Sequence, residues 1–113
     1  MKQAFAVLIM FLALPAMAAS YSAPSTVKGI SVGDGYVRIK LDQMKAAEDC
    51  ADQDWYVLDT TNDKYAEMSL SVILSAKVSQ TKLSFQLVGC QTVGSRNYPK
   101  INHTYFCEET FCA

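Results

Sequence analysis

Between residues 63 and 90 the spacing of apolar positions changes period once. Tyr65, Met68, Val72, Ile73 and Ala76 recur three and four apart, which lines one side of a helix. Leu83, Phe85 and Leu87 then alternate with Ser84, Gln86 and Val88, the period of a half-buried strand that ends at Cys90. Residues 69–72 alternate polar and apolar and so admit a strand. The run Val72-Ile73-Leu74 breaks that alternation and favours helix. Upstream, residues 27–32 read as a strand, Gly33-Asp34-Gly35 as a turn and residues 36–41 as a second strand. Val37, Ile39 and Leu41 should face a core there, with Arg38 and Lys40 facing water. Asp-Gly between two β-rich runs signals a hairpin in which both turn positions take positive φ. Residues 55–58, WYVL, form a third strand, and the cluster Thr60-Thr61-Asn62-Asp63 offers N-caps for the helix. Residues 91–100, with Gly94, Asn97 and Pro99, read as a loop, and residues 101–106 as the last strand.

Export changes how much of the chain counts as fold. Lys2, the apolar run of residues 4–14, Pro15 and the small-x-small triplet Ala16-Met17-Ala18 have the layout of a signal peptide over residues 1–18. The apolar run is shorter than the roughly 20 residues that span a bilayer, so no membrane span is expected. Residues 19–26 follow as a mobile polar leader, and residues 27–113 as a single domain. A chain this small buries only about 60–65% of the surface its unfolded form exposes, so its core is modest.

Four cysteines, Cys50, Cys90, Cys107 and Cys112, fall within that domain. An even count in a small exported chain points to two disulfides, in a secreted or periplasmic protein. Three pairings are possible, of which we favour Cys50–Cys90 and Cys107–Cys112. A four-cysteine zinc site needs close pairs at both ends, and Cys50 and Cys90 each stand alone. No metal and no cofactor are expected.

Ten basic residues against eleven acidic ones give a net charge of −1, and loss of Lys2 with the signal makes it more negative. That argues against nucleic acid as a partner, which needs a basic footprint. The dense acidic stretch Glu48, Asp49, Asp52 and Asp54 invites calcium, but it lacks the central glycine and closing glutamate of an EF-hand loop. A solvated acidic loop around Cys50 is the plainer reading.

Catalytic chemistry finds little to work with. His103 is the sole histidine, no serine sits in a G-x-S-x-G elbow, and the cysteines are committed to disulfides. No catalytic residues are assigned and a non-enzyme is expected. The aromatic residues Trp55, Tyr56, Tyr36, Tyr98 and Tyr105 are the binding handles. Of these, Tyr98, Tyr36 and Trp55 are the candidate ligand contacts. Tyr98, beside Pro99, is the one expected in an exposed loop, while Trp55, opening a central strand, also suits a core.

The order hairpin, strand, helix, strand, strand gives an α+β, mainly β class. It matches a five-stranded Greek-key barrel, the OB-fold, with one helix between its third and fourth strands. Cys50, WYVL at 55–58, SVILSAKVSQTK at 71–82 and LSFQLVGC at 83–90 are the features that carry a further resemblance. In their order and spacing they resemble the B subunits of bacterial AB5-type toxins, particularly the subtilase-cytotoxin and pertussis-like groups. They also resemble a looser group of small exported bacterial proteins without a toxin partner. The likeness covers about residues 29–106, and the Cys107/Cys112 pair falls outside it, which favours the looser group. The resemblance implies a binding module that assembles as a homo-oligomer, a ring of five, and takes a cell-surface glycan or a protein ligand. It transfers no sugar-contacting residue to a position here. The alternative is a monomeric structural or inhibitory protein of the cell envelope that acts by protein contact.

Overall fold

A computed structural model describes residues 19–108 and 110–112. The expected signal peptide, residues 1–18, lies outside them. Six strands and one helix make a mainly β domain: β1 Ser20–Tyr21, β2 Val27–Gly33, β3 Tyr36–Leu41, β4 Tyr56–Asp59, α1 Ala66–Ser79, β5 Leu83–Val93 and β6 Arg96–Phe106. They form one open sheet in the order β1-β5-β6-β4-β3-β2, antiparallel throughout except for the β4–β6 pair.

The β2–β3 hairpin pairs Gly33 with Tyr36 across a two-residue turn, as the sequence predicts. Its chemistry differs in one respect. Only Gly35 takes positive φ, at 81°, and Asp34 does not, so a single glycine meets the demand of the turn. Along β3 the alternation is regular: Val37, Ile39 and Leu41 are buried, and Tyr36, Arg38 and Lys40 are half-buried on the other face.

Two stretches expected to lack regular structure are paired. Residues 19–26, expected as a mobile leader, carry β1, whose Ser20 and Tyr21 pair with Leu87 and Gln86. Ser25 then bridges to Leu83 before the chain enters β2. The expected loop 91–100 is mostly strand. Gly94-Ser95 forms a tight turn with Gly94 at φ 61°, so β5 runs on to Val93 and β6 starts at Arg96. A Gly-Ser pair between two runs is itself a hairpin signal.

The core lies between the inner face of the sheet and α1, which packs against β2 and β6. Tyr56 and Phe85 meet edge to face at 5.9 Å in its middle. The Tyr56 hydroxyl is satisfied on the loop above, donating to the Lys45 carbonyl at 2.7 Å. Burial pushes that phenol above its ordinary value, against the opposing pull of the Lys45 backbone N–H, which donates to the same oxygen at 3.1 Å.

The helix forms where its sequence predicts, and Val72, Ile73 and Ala76 of the expected stripe face inward while Tyr65 and Met68 do not. Ala66, Ile73 and Ala76 are buried, Leu70 and Val72 pack partly, and Tyr65 and Met68 are exposed. Two alanines on the inward stripe let the helix lie close to the sheet, and alanine adds little to an apolar count. The 60–63 cluster caps differently than expected. Asp59 accepts the Thr61 and Asn62 backbone N–H groups, and Asp63 accepts that of Tyr65; the N-cap position is Tyr65, which makes no side-chain cap bond.

The disulfides are Cys50–Cys90 and Cys107–Cys112. The first ties the loop 42–55 to β5. The acidic stretch of that loop is engaged rather than merely solvated. Glu48 accepts the Ser20 N–H at 2.9 Å, and Asp52 accepts from Arg96 and from the Asn97 N–H.

Candidate functional site

The outer face of β1–β5–β6 carries an aromatic row. Register places Tyr21 opposite Gln86 and Gln86 opposite His103, with Ser84 and Tyr105 paired in the next row. Opposed residues in a sheet point to the same side. His103 stacks on Tyr105 at 4.4 Å, and Tyr105 meets Tyr21 at 6.4 Å. A bulge in the β5–β6 ladder leaves Asn102 beside the row. Its amide donates to Gln86 Oε1 at 2.8 Å, and the Gln86 amide donates to the Tyr21 hydroxyl at 3.3 Å. The row is therefore aromatic faces braced by a chain of amides.

A groove of about 460 Å³ opens at one end of this row, floored by Ser22 and Ser84 and walled by Tyr21, Tyr105, Phe111 and Cys112. That size lies in the range of small-molecule sites. Phe111 stands 69% exposed on the small loop closed by Cys107–Cys112, so the disulfide holds one wall of the groove. The floor is fixed tightly: Ser84 Oγ donates to the Ser22 carbonyl, and Ser22 Oγ accepts the Phe85 N–H, each at 2.8 Å. At the other end, His103 and Asn102 border a second groove of about 370 Å³, against Met68 and Val72 of the helix and its N-cap residue Tyr65. The stacked pair His103 and Tyr105 lies between the two grooves, His103 lining one and Tyr105 the other.

The candidate contacts Tyr98, Tyr36 and Trp55 lie elsewhere, around the outer side of β3: Tyr36 in β3, Trp55 just before β4 and Tyr98 in β6. Tyr98 is not in an exposed loop. It sits in β6, 2% exposed, because the Gly94-Ser95 turn carries the strand past it. Its hydroxyl meets Arg38 Nη1 at 3.4 Å. Trp55 is half-buried and stands outside the main core. It lies over Gly29, with Arg38 at 4.9 Å and Lys40 at 4.5 Å from its ring centre. Tyr36 is half-buried and folds across the hairpin onto Gly33. Trp55 and Tyr98 thus share Arg38 as a common neighbour, and Tyr36 follows on the same side of β3.

Of the aromatic row and the groove walls, sequence reading picks out Tyr105 and misses Tyr21 and Phe111. Tyr21 lies in a two-residue strand with no period to detect, and Phe111 depends on a five-residue disulfide loop. Among the described residues no group of three or more His, Cys, Asp and Glu converges as a metal site, and no helix is long and apolar enough to cross a membrane. Comparison with protein-family models, with curated proteins and with solved structures finds no match.

Proposed function

We propose that this chain is an exported, non-catalytic binding module whose ligand is a glycan, taken along the Phe111–Tyr21–Tyr105–His103 track. The observation that carries this reading is the braced aromatic row opening into a groove. Sugar rings present apolar C–H faces that stack on aromatic side chains, and hydroxyls that suit amide and hydroxyl partners. A track with a groove at each end suits an oligosaccharide better than a single sugar. The two disulfides are compatible with an oxidising compartment, secreted or periplasmic.

An OB-like relationship is supported by the pairing order. With the short β1 set aside, the order β5-β6-β4-β3-β2, with its single parallel pair, is the one an OB barrel uses. The segment 20–33 also runs from the edge of β5 to the edge of β3, the path a barrel-closing strand takes. On that reading the AB5 B-subunit likeness extends to assembly as a ring of five. The alternative is a monomer acting by protein contact. It is favoured by the apolar side chains that the helix leaves in water, Met68 at 69% and Val78 at 86% exposure.

A glycan array probed with the mature protein, repeated with Tyr105→Ala and Phe111→Ala, tests the first reading. A defined set of glycans should bind, with at least a tenfold loss in each variant. An array without hits, or hits indifferent to both substitutions, removes the glycan. The mass in solution tests assembly: five copies support the ring, and a monomer supports the alternative.

A further inference from the structure

On the face of β2–β3–β4 two cations are gathered around one ring. Arg38 and Lys40 are two apart on β3 and share its outer side. Both stand within 5 Å of the Trp55 ring centre, at 4.9 and 4.5 Å. Gly29, opposite Lys40 in the hairpin, has no side chain, and the indole covers it. The guanidinium is aimed by neutral partners, Ser31 Oγ at 3.1 Å and the Tyr98 hydroxyl at 3.4 Å.

Among the described residues neither cation is paired with a carboxylate. The ion pair found among the described residues is Arg96–Asp52. Asp54, beside Trp55 in the chain, exerts its field on Arg96, and buried Asp59 draws on Lys100. In a protein of net charge −1, two cations thus lean on one indole ring, whose face offsets part of their charge, and neither is in an ion pair among the described residues. Such a pair is completed by an anion. A carboxylate has two oxygens, which one guanidinium edge can take up. A sulfate or phosphate ester has three outward oxygens, enough for Arg38 and Lys40 together.

We propose that Arg38, Lys40 and Trp55 form a binding site for the sulfate or phosphate ester group of an acidic saccharide, separate from the aromatic track. The choice of saccharide as the carrier rests on the glycan reading above. The oxyanion site rests on the charges alone.

Trp55 is the only tryptophan in the chain, so its fluorescence reports this site directly. The test is a titration of the mature protein with dextran sulfate oligosaccharides, with unsulfated dextran of the same length, and with inorganic phosphate. The sulfated sugar should change the fluorescence saturably, with a weaker response to phosphate and none to dextran. Raising the salt should weaken the binding. Lys40→Gln and Arg38→Gln should each weaken it at least tenfold. Lys40→Gln removes no hydrogen bond of the fold, so it remains decisive if Arg38→Gln does not fold. A fluorescence silent to sulfated sugar and phosphate overturns the proposal, as does a response unchanged in Lys40→Gln. Tyr105→Ala separates the two sites. It should weaken binding of uncharged glycans at least tenfold while leaving the Trp55 response intact, so the track and the oxyanion site can fail independently.

Discussion

Ser22 and Phe85 are joined by a reciprocal pair of hydrogen bonds. The Ser22 N–H donates to the Phe85 carbonyl at 2.9 Å, and the Phe85 N–H donates to Ser22 Oγ at 2.8 Å. A serine hydroxyl here does the work of a strand partner, at a point where the chain between β1 and β2 has left the ladder. Both residues are buried. Ser22→Ala should therefore strand the Phe85 N–H away from water and lower stability by about 1–3 kcal/mol. Urea unfolding monitored by circular dichroism checks this. A variant as stable as the parent would mean the segment 19–26 is not fastened to β5.

The two disulfides should separate stability from binding. Cys50–Cys90 closes a separation of 40 residues and Cys107–Cys112 one of 5. On loop entropy the first is worth about 4 kcal/mol and the second about 2 kcal/mol. Replacing Cys107 and Cys112 by serine should therefore cost less stability than replacing Cys50 and Cys90. It should cost more affinity at the aromatic track, because Phe111 loses its mount. Thermal melts of both double variants, set beside their glycan affinities, check the crossed pattern. A single ranking for both properties would contradict it.

Much of this architecture was legible where side chains keep a strict period. The alternation of residues 36–41, the run WYVL and the alternation after Leu83 each announce a strand that the structure contains. The favoured pairing, Cys50 with Cys90 and Cys107 with Cys112, is the one the structure contains. Several of the failures share one physical cause, a deciding contact far away in the chain, whereas the Gly94-Ser95 turn between β5 and β6 is a local signal. Ser20 and Tyr21 become a strand only because β5 offers an edge 65 residues on. Tyr98 is buried because a two-residue turn lets β5 and β6 continue, and Arg38, 60 residues earlier, covers its hydroxyl. The track was out of reach for the same reason, since Tyr21, Tyr105 and Phe111 meet only after β1 pairs and the last disulfide closes.

Asp59 should impose a pH dependence of known sign. It is 2% exposed, at the end of β4. Burial pushes its carboxyl up, but the Asn62 side-chain amide, the Asn62 and Thr61 backbone N–H groups and the nearby Lys100 outweigh that. The result lies below the ordinary aspartate value of 3.8. A carboxyl lowered in the folded state stabilises fully above its unfolded value, and the gain disappears as pH falls through the folded one. The stability difference between the parent and Asp59→Asn should thus be constant near neutral pH and shrink below 3.8. Urea curves from about pH 7 down to about pH 2.5 check it. A difference that holds constant to the acid limit would show that the carboxylate charge plays no part in this turn.

The helix offers a test of which residues hold the domain together, because sequence period and structure agree on Ile73 and Ala76 but not on Tyr65 and Met68. The period places Met68 and Ile73 on one buried side. In the structure Ile73 is fully buried and Met68 is 69% exposed. Ile73→Ala removes buried methyl groups from the middle of the core and should cost about 2–5 kcal/mol, the larger part of a small domain's stability. Met68→Ser exchanges one exposed side chain for another of modest helix propensity and should stay within about 0.5 kcal/mol. Val78→Ser, at 86% exposure, belongs with Met68. Ser71, Ser75 and Ser79 donate to the carbonyls of Glu67, Ser71 and Ser75 on the solvent side, so new serines there follow a pattern the helix already tolerates. Chemical denaturation of the three variants decides the point. If Met68→Ser were as damaging as Ile73→Ala in a monomeric sample, α1 would have to be turned to bring Tyr65 and Met68 inward, and the groove they share with His103 would not exist.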